Sequence, residues 1–225
     1  MLTFNVYDRV FFVRGLDYGT GFTVDVDSRQ YLVSARHVVG DEVGRHGLSV
    51  FYARQWQSLP TEFVGAGVGE IDITVLAPKV RLSPALPLEP SVGGFALGQE
   101  VFFAGYPYKM WSDGGAVMRG RPLPFVKRGT LSAAMDQADE IKRLYVDATC
   151  NLGFSGGPLV FASPGTTELR VAGVVSKFKI EYESVVTVDG EDSGMRVAYN
   201  TGFLVAYSIK YALDLIRANP IGLPI

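Results

Sequence analysis

The chain is a succession of short apolar runs cut by turn residues, and that texture leaves little room for anything but β-structure. Val10-Phe11-Phe12-Val13, Gly21-Phe22-Thr23-Val24-Asp25-Val26, Tyr31-Leu32-Val33 and Leu48-Ser49-Val50-Phe51-Tyr52 are rich in β-branched and aromatic side chains. Such side chains suit a pleated, half-buried surface, and the Gly, Asp, Asn and Pro that flank them supply turns. The texture returns in Val101-Phe102-Phe103-Ala104, Leu144-Tyr145-Val146, Leu159-Val160-Phe161, Val171-Ala172-Gly173-Val174-Val175 and Val197-Ala198-Tyr199. The 26 glycines and 12 prolines are dispersed, which fits many strands joined by turns and excludes a low-complexity region.

Between residues 82 and 98, Pro84, Pro87, Pro90, Gly93 and Gly94 break any period, so a linker is placed there. Two β units are expected, over residues 8–82 and 98–206. One helical pattern follows at 207–219: Ser208 can cap it, Ile209, Leu213 and Ile216 share a face, and Asn219-Pro220 stops it. That apolar face must dock on something. With 225 residues, 48% of them hydrophobic, the chain can bury a sizeable core.

A formal net charge of -2 offers no basic excess for a phosphate backbone, so nucleic acid is not an expected partner. The N-terminal residues lack a basic segment followed by an apolar one, and no run reaches the ~18 apolar residues of a membrane span. Cys150 is the only cysteine, so no intrachain disulfide can form, and a reducing, cytoplasmic setting is expected. His46 and Cys150 make no metal set at any recognised spacing, and no metal or cofactor is expected. Gly65-Ala66-Gly67-Val68-Gly69-Glu70 looks like a phosphate loop but precedes a strand pattern, not a helix. The acidic stretches at Asp136–Glu140 and Glu181–Asp192 read as solvated loops.

Three segments place reactive side chains in unusual company: Ser34-Ala35-Arg36-His37, Glu70-Ile71-Asp72-Ile73-Thr74 and Asn151-Leu152-Gly153-Phe154-Ser155-Gly156-Gly157-Pro158. Taken singly, each has an ordinary explanation: a solvent-facing histidine, a carboxylate on the wet side of a strand, a serine in a glycine turn. Together they supply a base, an acid and a nucleophile. A serine hydroxyl needs an imidazole to take its proton, and the imidazole needs an anion to fix its tautomer. The glycines around Ser155 would let backbone N–H groups, those of Gly153 and Ser155, converge on a developing oxyanion. The chain order His37, Asp72, Ser155 is that of chymotrypsin and differs from that of subtilisin and the α/β-hydrolases.

At these motifs the sequence resembles the trypsin-like serine peptidases, and among them the disulfide-free bacterial HtrA-type protease domains. Ser34-Ala35-Arg36-His37 is similar to the family's Thr/Ser-x-x-His, Asp72-Ile73-Thr74-Val75-Leu76 to its Asp-Ile-Ala-Leu-Leu, and Gly153-Phe154-Ser155-Gly156-Gly157-Pro158 to its Gly-x-Ser-Gly-Gly-Pro. Gly19-Thr20-Gly21-Phe22, the run from Gly98 to Pro107, Gly173-Val174-Val175-Ser176 and Thr201-Gly202-Phe203-Leu204-Val205 extend the similarity over roughly residues 8 to 218. The resemblance implies an all-β fold of two six-stranded antiparallel β-barrels with a C-terminal α-helix. It also implies a polypeptide substrate and acyl transfer through Ser155, with His37 as base and Asp72 as its orienting acid. Ser34 and Ser176 would then hold the Asp72 carboxylate, and Thr149, Leu152, Ser176, Lys177, Phe178 and Gly202 would bind substrate.

The sequence departs from the digestive members at Phe154, where they carry an acid that pairs with a freed terminal amine. No Ile-Val-Gly-Gly-like start appears either, so activation by N-terminal cleavage is not expected. Thr149 at the pocket base carries no charge, so a neutral, small to medium apolar side chain is expected before the scissile bond. Cys150, beside that pocket, reads as a small buried hydrophobe. A catalytically silent peptide-binding module and a small-acyl esterase are the alternatives, and the oligomeric state stays open.

Overall fold

The structure, a computed structural model, describes residues 2–41, 47–137 and 140–225. His46, weighed above as a metal ligand, and part of the acidic stretch at 136–140 lie outside the described residues. An N-terminal sheet is built from β1 (Val10–Arg14), β2 (Tyr18–Val26), β3 (Arg29–Ser34), β4 (Leu48–Tyr52), β5 (Gln55–Leu59), β6 (Thr61–Ala66) and β7 (Thr74–Pro78). They run in the order β5-β4-β1-β2-β3-β7-β6. Two of its hairpins turn in two residues with positive φ at both, Asp27-Ser28 and Ala53-Arg54, the twist that matches right-handed strands.

The chain continues through β8 (Glu89–Pro90) and β9 (Glu100–Gly105), a two-residue pair of β10 (Ser112–Asp113) with β11 (Pro122–Leu123), and β12 (Phe125–Gln137). Then come β13 (Glu140–Asp147), β14 (Pro158–Ala162), β15 (Leu169–Val186) and β16 (Asp192–Ser208). The second sheet runs β14-β9-β12-β13-β16-β15-β8, and β14 pairs β15 as well, so six strands close on themselves. Closure leaves no edge to manage in that barrel. Beyond residue 176, β15 and β16 continue as a long, largely exposed ribbon, with Ile180↔Asn200 and Tyr182↔Ala198 in register. The fold is thus the mostly-β, chymotrypsin-like one, two curled sheets with a single longer helix at the end.

That helix, α3 (Lys210–Ala218), follows two short turns, α1 (Phe4–Tyr7) and α2 (Arg36–Val39). The helix is capped at Ile209, and Ser208, the cap read from the sequence, lies one residue earlier with its Oγ accepting from the Lys210 N–H at 3.3 Å. Ile209, Ala212 and Ile216 are buried, while Leu213 is half-buried. The helix docks on the N-terminal sheet: Leu215 packs over Gly65, and Asn219 Nδ2 donates to the Val64 carbonyl at 3.1 Å. β17 (Leu223–Pro224) then pairs β3, so the chain's last strand also belongs to the N-terminal sheet.

Among the described residues burial divides into three parts. One cluster, with Phe11, Val13, Leu32 and Leu76, fills the N-terminal sheet's concave side, and one with Val101, Phe103, Val146 and Phe161 fills the closed barrel. The third spans the seam, where Phe12 of β1 stacks on Tyr106 with centroids 4.8 Å apart. The Tyr106 hydroxyl, buried, lies within donating reach of the Pro122 carbonyl (3.0 Å) and the Val10 carbonyl (3.3 Å), which satisfies the phenol. The seam is therefore closely packed, and elements of both sheets meet along it.

Candidate active site

His37 sits on α2, the single turn that follows β3. Ala35, Val38 and Val39 are buried beneath it, and this anchors the turn while the imidazole, 47% exposed, faces the seam. Arg36 points the other way and donates to the carbonyls of Gly67 (2.5 Å) and Gly69 (2.6 Å), tying down the loop that presents Asp72. Asp72 lies two residues ahead of β7, not on the strand itself. Ile73 is fully buried and the Thr74 hydroxyl donates to the Gly40 carbonyl at 2.7 Å, so the chain just after the carboxylate is held as well.

One carboxylate grips His37 twice. The backbone N–H of His37 donates to Asp72 Oδ1 at 2.9 Å, and ring Nδ1 lies 2.6 Å from Oδ2. The Ser176 hydroxyl also donates to Oδ2, at 2.6 Å. Burial by itself would raise the Asp72 carboxyl, but the hydrogen bonds from His37 and Ser176 and the nearby imidazole charge outweigh it and hold it down at about 2. An anion at Oδ2 keeps the proton on Nδ1 and leaves the Nε2 lone pair available.

Ser155 lies on the turn between β13 and β14. Its carbonyl accepts from the Thr20 N–H of β2 at 2.8 Å, so a strand of the first sheet fixes a loop of the second. Gly156, at φ +84, is required there: a Cβ would lie 2.0 Å from the Thr20 carbonyl oxygen. The Ser155 hydroxyl donates to the Ser176 carbonyl at 2.9 Å, not to the imidazole. His37, Asp72, Ser155 and Ser176 line one cleft of about 570 Å³.

The preceding peptide is oriented by its carbonyl. Leu152 C=O accepts from the Tyr108 N–H at 2.8 Å. Because a trans peptide points its C=O and N–H in opposite directions, the Gly153 N–H faces away from Tyr108. The Gly153 carbonyl is held in turn by the Thr20 hydroxyl (2.8 Å) and the Tyr106 N–H (3.4 Å). Among the described residues neither the Gly153 nor the Ser155 N–H is bonded to a protein acceptor. Phe154, at the position where an acid was noted to be missing, is 0% exposed, its ring edge-on to Phe103 at 5.1 Å.

Of the substrate residues named from the sequence, Leu152, Ser176, Lys177 and Phe178 line the cleft. Thr149 and Gly202 do not: Thr149 is exposed with its carbonyl accepting from Lys127 Nζ at 2.7 Å, and the Gly202 carbonyl accepts from the Ala148 N–H. Ser34 is a correction. Its hydroxyl donates to the Thr20 carbonyl at 2.7 Å, deep in the seam, because Gly156 packs against it and Asp72 is reached by Ser176 alone of the two serines. Cys150 is buried, its thiol pushed up to about 12 by burial, as suits a small hydrophobe. Sequence reasoning missed Asn151 and Ile180, which line the cleft, and Lys127, which bonds Asn151 Oδ1 from β12. Nothing in the sequence around Lys127 signals that role.

A two-sheet chymotrypsin-like frame with a carboxylate-clamped imidazole and a glycine-flanked serine across the seam defines the serine hydrolase architecture of the trypsin-like kind. The chain belongs to the trypsin-like peptidase domain family, whose pattern it matches over residues 19–165. No curated protein matches it in sequence. Among solved structures it is similar to the inactive form of the Rv3671c protease of M. tuberculosis H37Rv (19% identity, TM-score 0.57, covering 95% of this chain and 90% of that one). It is also similar to the HtrA-type protease AlgW bound to a tripeptide (19% identity, TM-score 0.58, 95% of this chain and 60% of that one). At these identities the likeness establishes the shared fold.

Proposed function

We propose that the chain is a serine endopeptidase that hydrolyses peptide bonds through an acyl-enzyme on Ser155. The observation that carries this reading is the double grip of Asp72 on His37, which leaves Nε2 as a free base in the same cleft as Ser155. In the first step Ser155 Oγ leaves the Ser176 carbonyl, gives its proton to Nε2 and bonds to the substrate carbonyl carbon. The oxyanion is met by the Gly153 and Ser155 N–H groups, and removal of one such donor costs about 3 to 4 kcal/mol in comparable sites. Imidazolium then protonates the leaving amine as the C–N bond breaks. Water, deprotonated by Nε2, then bonds to the acyl carbon; as the ester bond to Ser155 breaks, the imidazolium returns the proton to Oγ and the acid leaves.

The hydrogen bond from Ser155 Oγ to Ser176 favours a second reading, a binding module of the same fold in which the serine stays parked. A fluorophosphonate probe separates the two, because it requires an activated serine whatever the substrate. The endopeptidase reading expects labelling that Ser155→Ala removes. Labelling that survives the substitution, or none in the unaltered chain, rejects it. A reducing, cytoplasmic setting is part of the proposal, motivated by the single cysteine; recovery of the chain in the cytoplasmic fraction is the expected result, and recovery outside it rejects this part.

A further inference from the structure

The concave side of the N-terminal sheet opens at one end, between edge strand β5 and the segment Val80–Leu82, into a cavity of about 440 Å³ that shares no lining residue with the catalytic cleft. Phe11, Leu59, Val50 and Leu82 line it and belong to the sheet's own apolar cluster. The cavity is thus the sheet's interior, left open because β5 and β6, at the two ends of the strand order, form no ladder. Mouths of β-barrels are a recurrent place for small apolar ligands.

The rim is what distinguishes this mouth. Arg81, Arg119 and Arg121 line it, and among the described residues no carboxylate does. Arg121 is already neutralised by Asp8 and lies over the Phe11 ring at 4.9 Å, so it serves as wall. Arg81 uses Nε on the Ser83 carbonyl at 3.1 Å, and among the described residues its remaining nitrogens and the whole Arg119 guanidinium have no acceptor. Arg119 is also held in the left-handed region at φ 53, where a non-glycine residue is strained. The loop enforces this from both sides, by the buried Met118 and by the Gly120 carbonyl, which accepts from the Ala53 N–H of the β4–β5 turn at 2.8 Å.

We propose that this mouth binds a monocarboxylate carried on an aliphatic chain, with the chain against Phe11, Leu59 and Leu82 and the carboxylate between Arg81 and Arg119. The planar fork of a guanidinium matches a carboxylate in bidentate fashion. The inner wall of Phe11, Val50, Leu59 and Leu82 is hydrocarbon, which suits an aliphatic chain.

Titration calorimetry on the full chain carrying Ser155→Ala tests this independently of any catalysis. Decanoate, below its micelle concentration, is expected to bind one to one and at least about tenfold more tightly than decan-1-ol, with an affinity that falls as salt rises. Arg81→Gln with Arg119→Gln, both at exposed positions, should remove that tenfold preference while leaving decan-1-ol binding as it was. Leu82→Asp, within the mouth, should abolish both. Equal binding of acid and alcohol, a preference that survives the double arginine change, or decanoate binding that survives Leu82→Asp would each overturn the proposal. Tighter binding of an apolar tripeptide with a free carboxylate would do so too, by assigning the mouth to peptide C-termini.

Discussion

Asp72→Asn removes one charge from the centre of the hydrogen-bond system and leaves its shape intact. In the folded chain the Asp72 carboxyl is lowered from 3.8 to about 2, burial opposing the change and the His37 and Ser176 hydrogen bonds driving it. A group whose folded value is depressed adds stability above its unfolded value and loses it as the pH falls through the folded one. A drop from 3.8 to about 2 corresponds to about 2 kcal/mol, fully present at pH 5, roughly half gone at pH 3 and nearly absent by pH 2. The side chain is only 16% exposed, so solvent screening takes little from this figure. Urea unfolding of both proteins at pH 5, 4 and 3 reads it directly. The other carboxylates titrate alike in the pair and cancel, and this window lies below the ordinary range of imidazole titration. The stability gap should therefore shrink by about 1 kcal/mol between pH 5 and pH 3. In the same variant an amide can no longer hold the proton on Nδ1, and kcat should fall by roughly 10⁴. A gap that does not change with pH would refute the charged hydrogen-bond network as drawn.

Phe154→Ala empties a fully buried site against Phe103 and should cost about 3 to 5 kcal/mol in thermal or chemical unfolding; a loss below about 1 kcal/mol would mean the ring is not the anchor of the serine turn. Gly153→Ala puts a Cβ 2.2 Å from the Tyr106 carbonyl oxygen at φ +102. It should lower kcat by roughly 10² to 10³ through displacement of one oxyanion donor, and unaltered turnover would exclude the Gly153 N–H from that role. Among peptide substrates, a neutral aliphatic residue before the scissile bond should exceed Arg or Lys by at least about tenfold in kcat/KM. Lys177 lines the cleft, Lys127 bonds Asn151 beneath it, and Glu181 of the ribbon is already paired with Lys179. A cleavage-site library that favours Arg or Lys would show that the ribbon's carboxylates set specificity.

The parts legible in the sequence are those with local causes. β-Branched and aromatic runs such as Val10–Val13 and Val171–Val175 became β1 and β15 because burial on a pleated surface decides them, and each lies in a strand. β5 went unread for an equally local reason: its hairpin turns on Ala53-Arg54, a pair without the Asn-Gly or Asp-Gly chemistry that marks such turns. His37, Asp72 and Ser155, which line one cleft, were singled out because glycine spacing and residue order are sequence properties. Ser34 was misassigned because two strand serines near the site look alike in sequence. Only the approach of Gly156 to Thr20 decides that Ser34 turns into the seam while Ser176 reaches Asp72. Lys127 escaped because its partners at 149 and 151 follow β13, the strand beside β12, and the antiparallel register that brings them together is not a property of the residues around it.

Phe154 is where the departure from the digestive pattern acquires a physical answer. An acid at that position would need a cation to justify its burial, whereas a phenyl ring gains from burial outright and holds the turn by packing on Phe103. Packing fixes the ring but not the rotation of the neighbouring peptide, and that rotation decides whether an N–H or a C=O faces the substrate. Here it is set by the Tyr108 N–H on the Leu152 carbonyl. Tyr108 and Lys109 adopt φ 52 and 63 to deliver that donor, a strain of the kind proteins store at functional sites. The strained turn is held by Lys109 Nζ over the Tyr18 ring at 3.9 Å and by Met110 N–H on the Pro107 carbonyl at 2.8 Å. Tyr18 opens β2, and two residues on Thr20 binds both the Ser155 and the Gly153 carbonyls, so one strand of the first sheet positions the proposed nucleophile and the Gly153 peptide together. The orientation that an ammonium–carboxylate pair would supply is supplied in this chain by a backbone hydrogen bond and an aromatic seat.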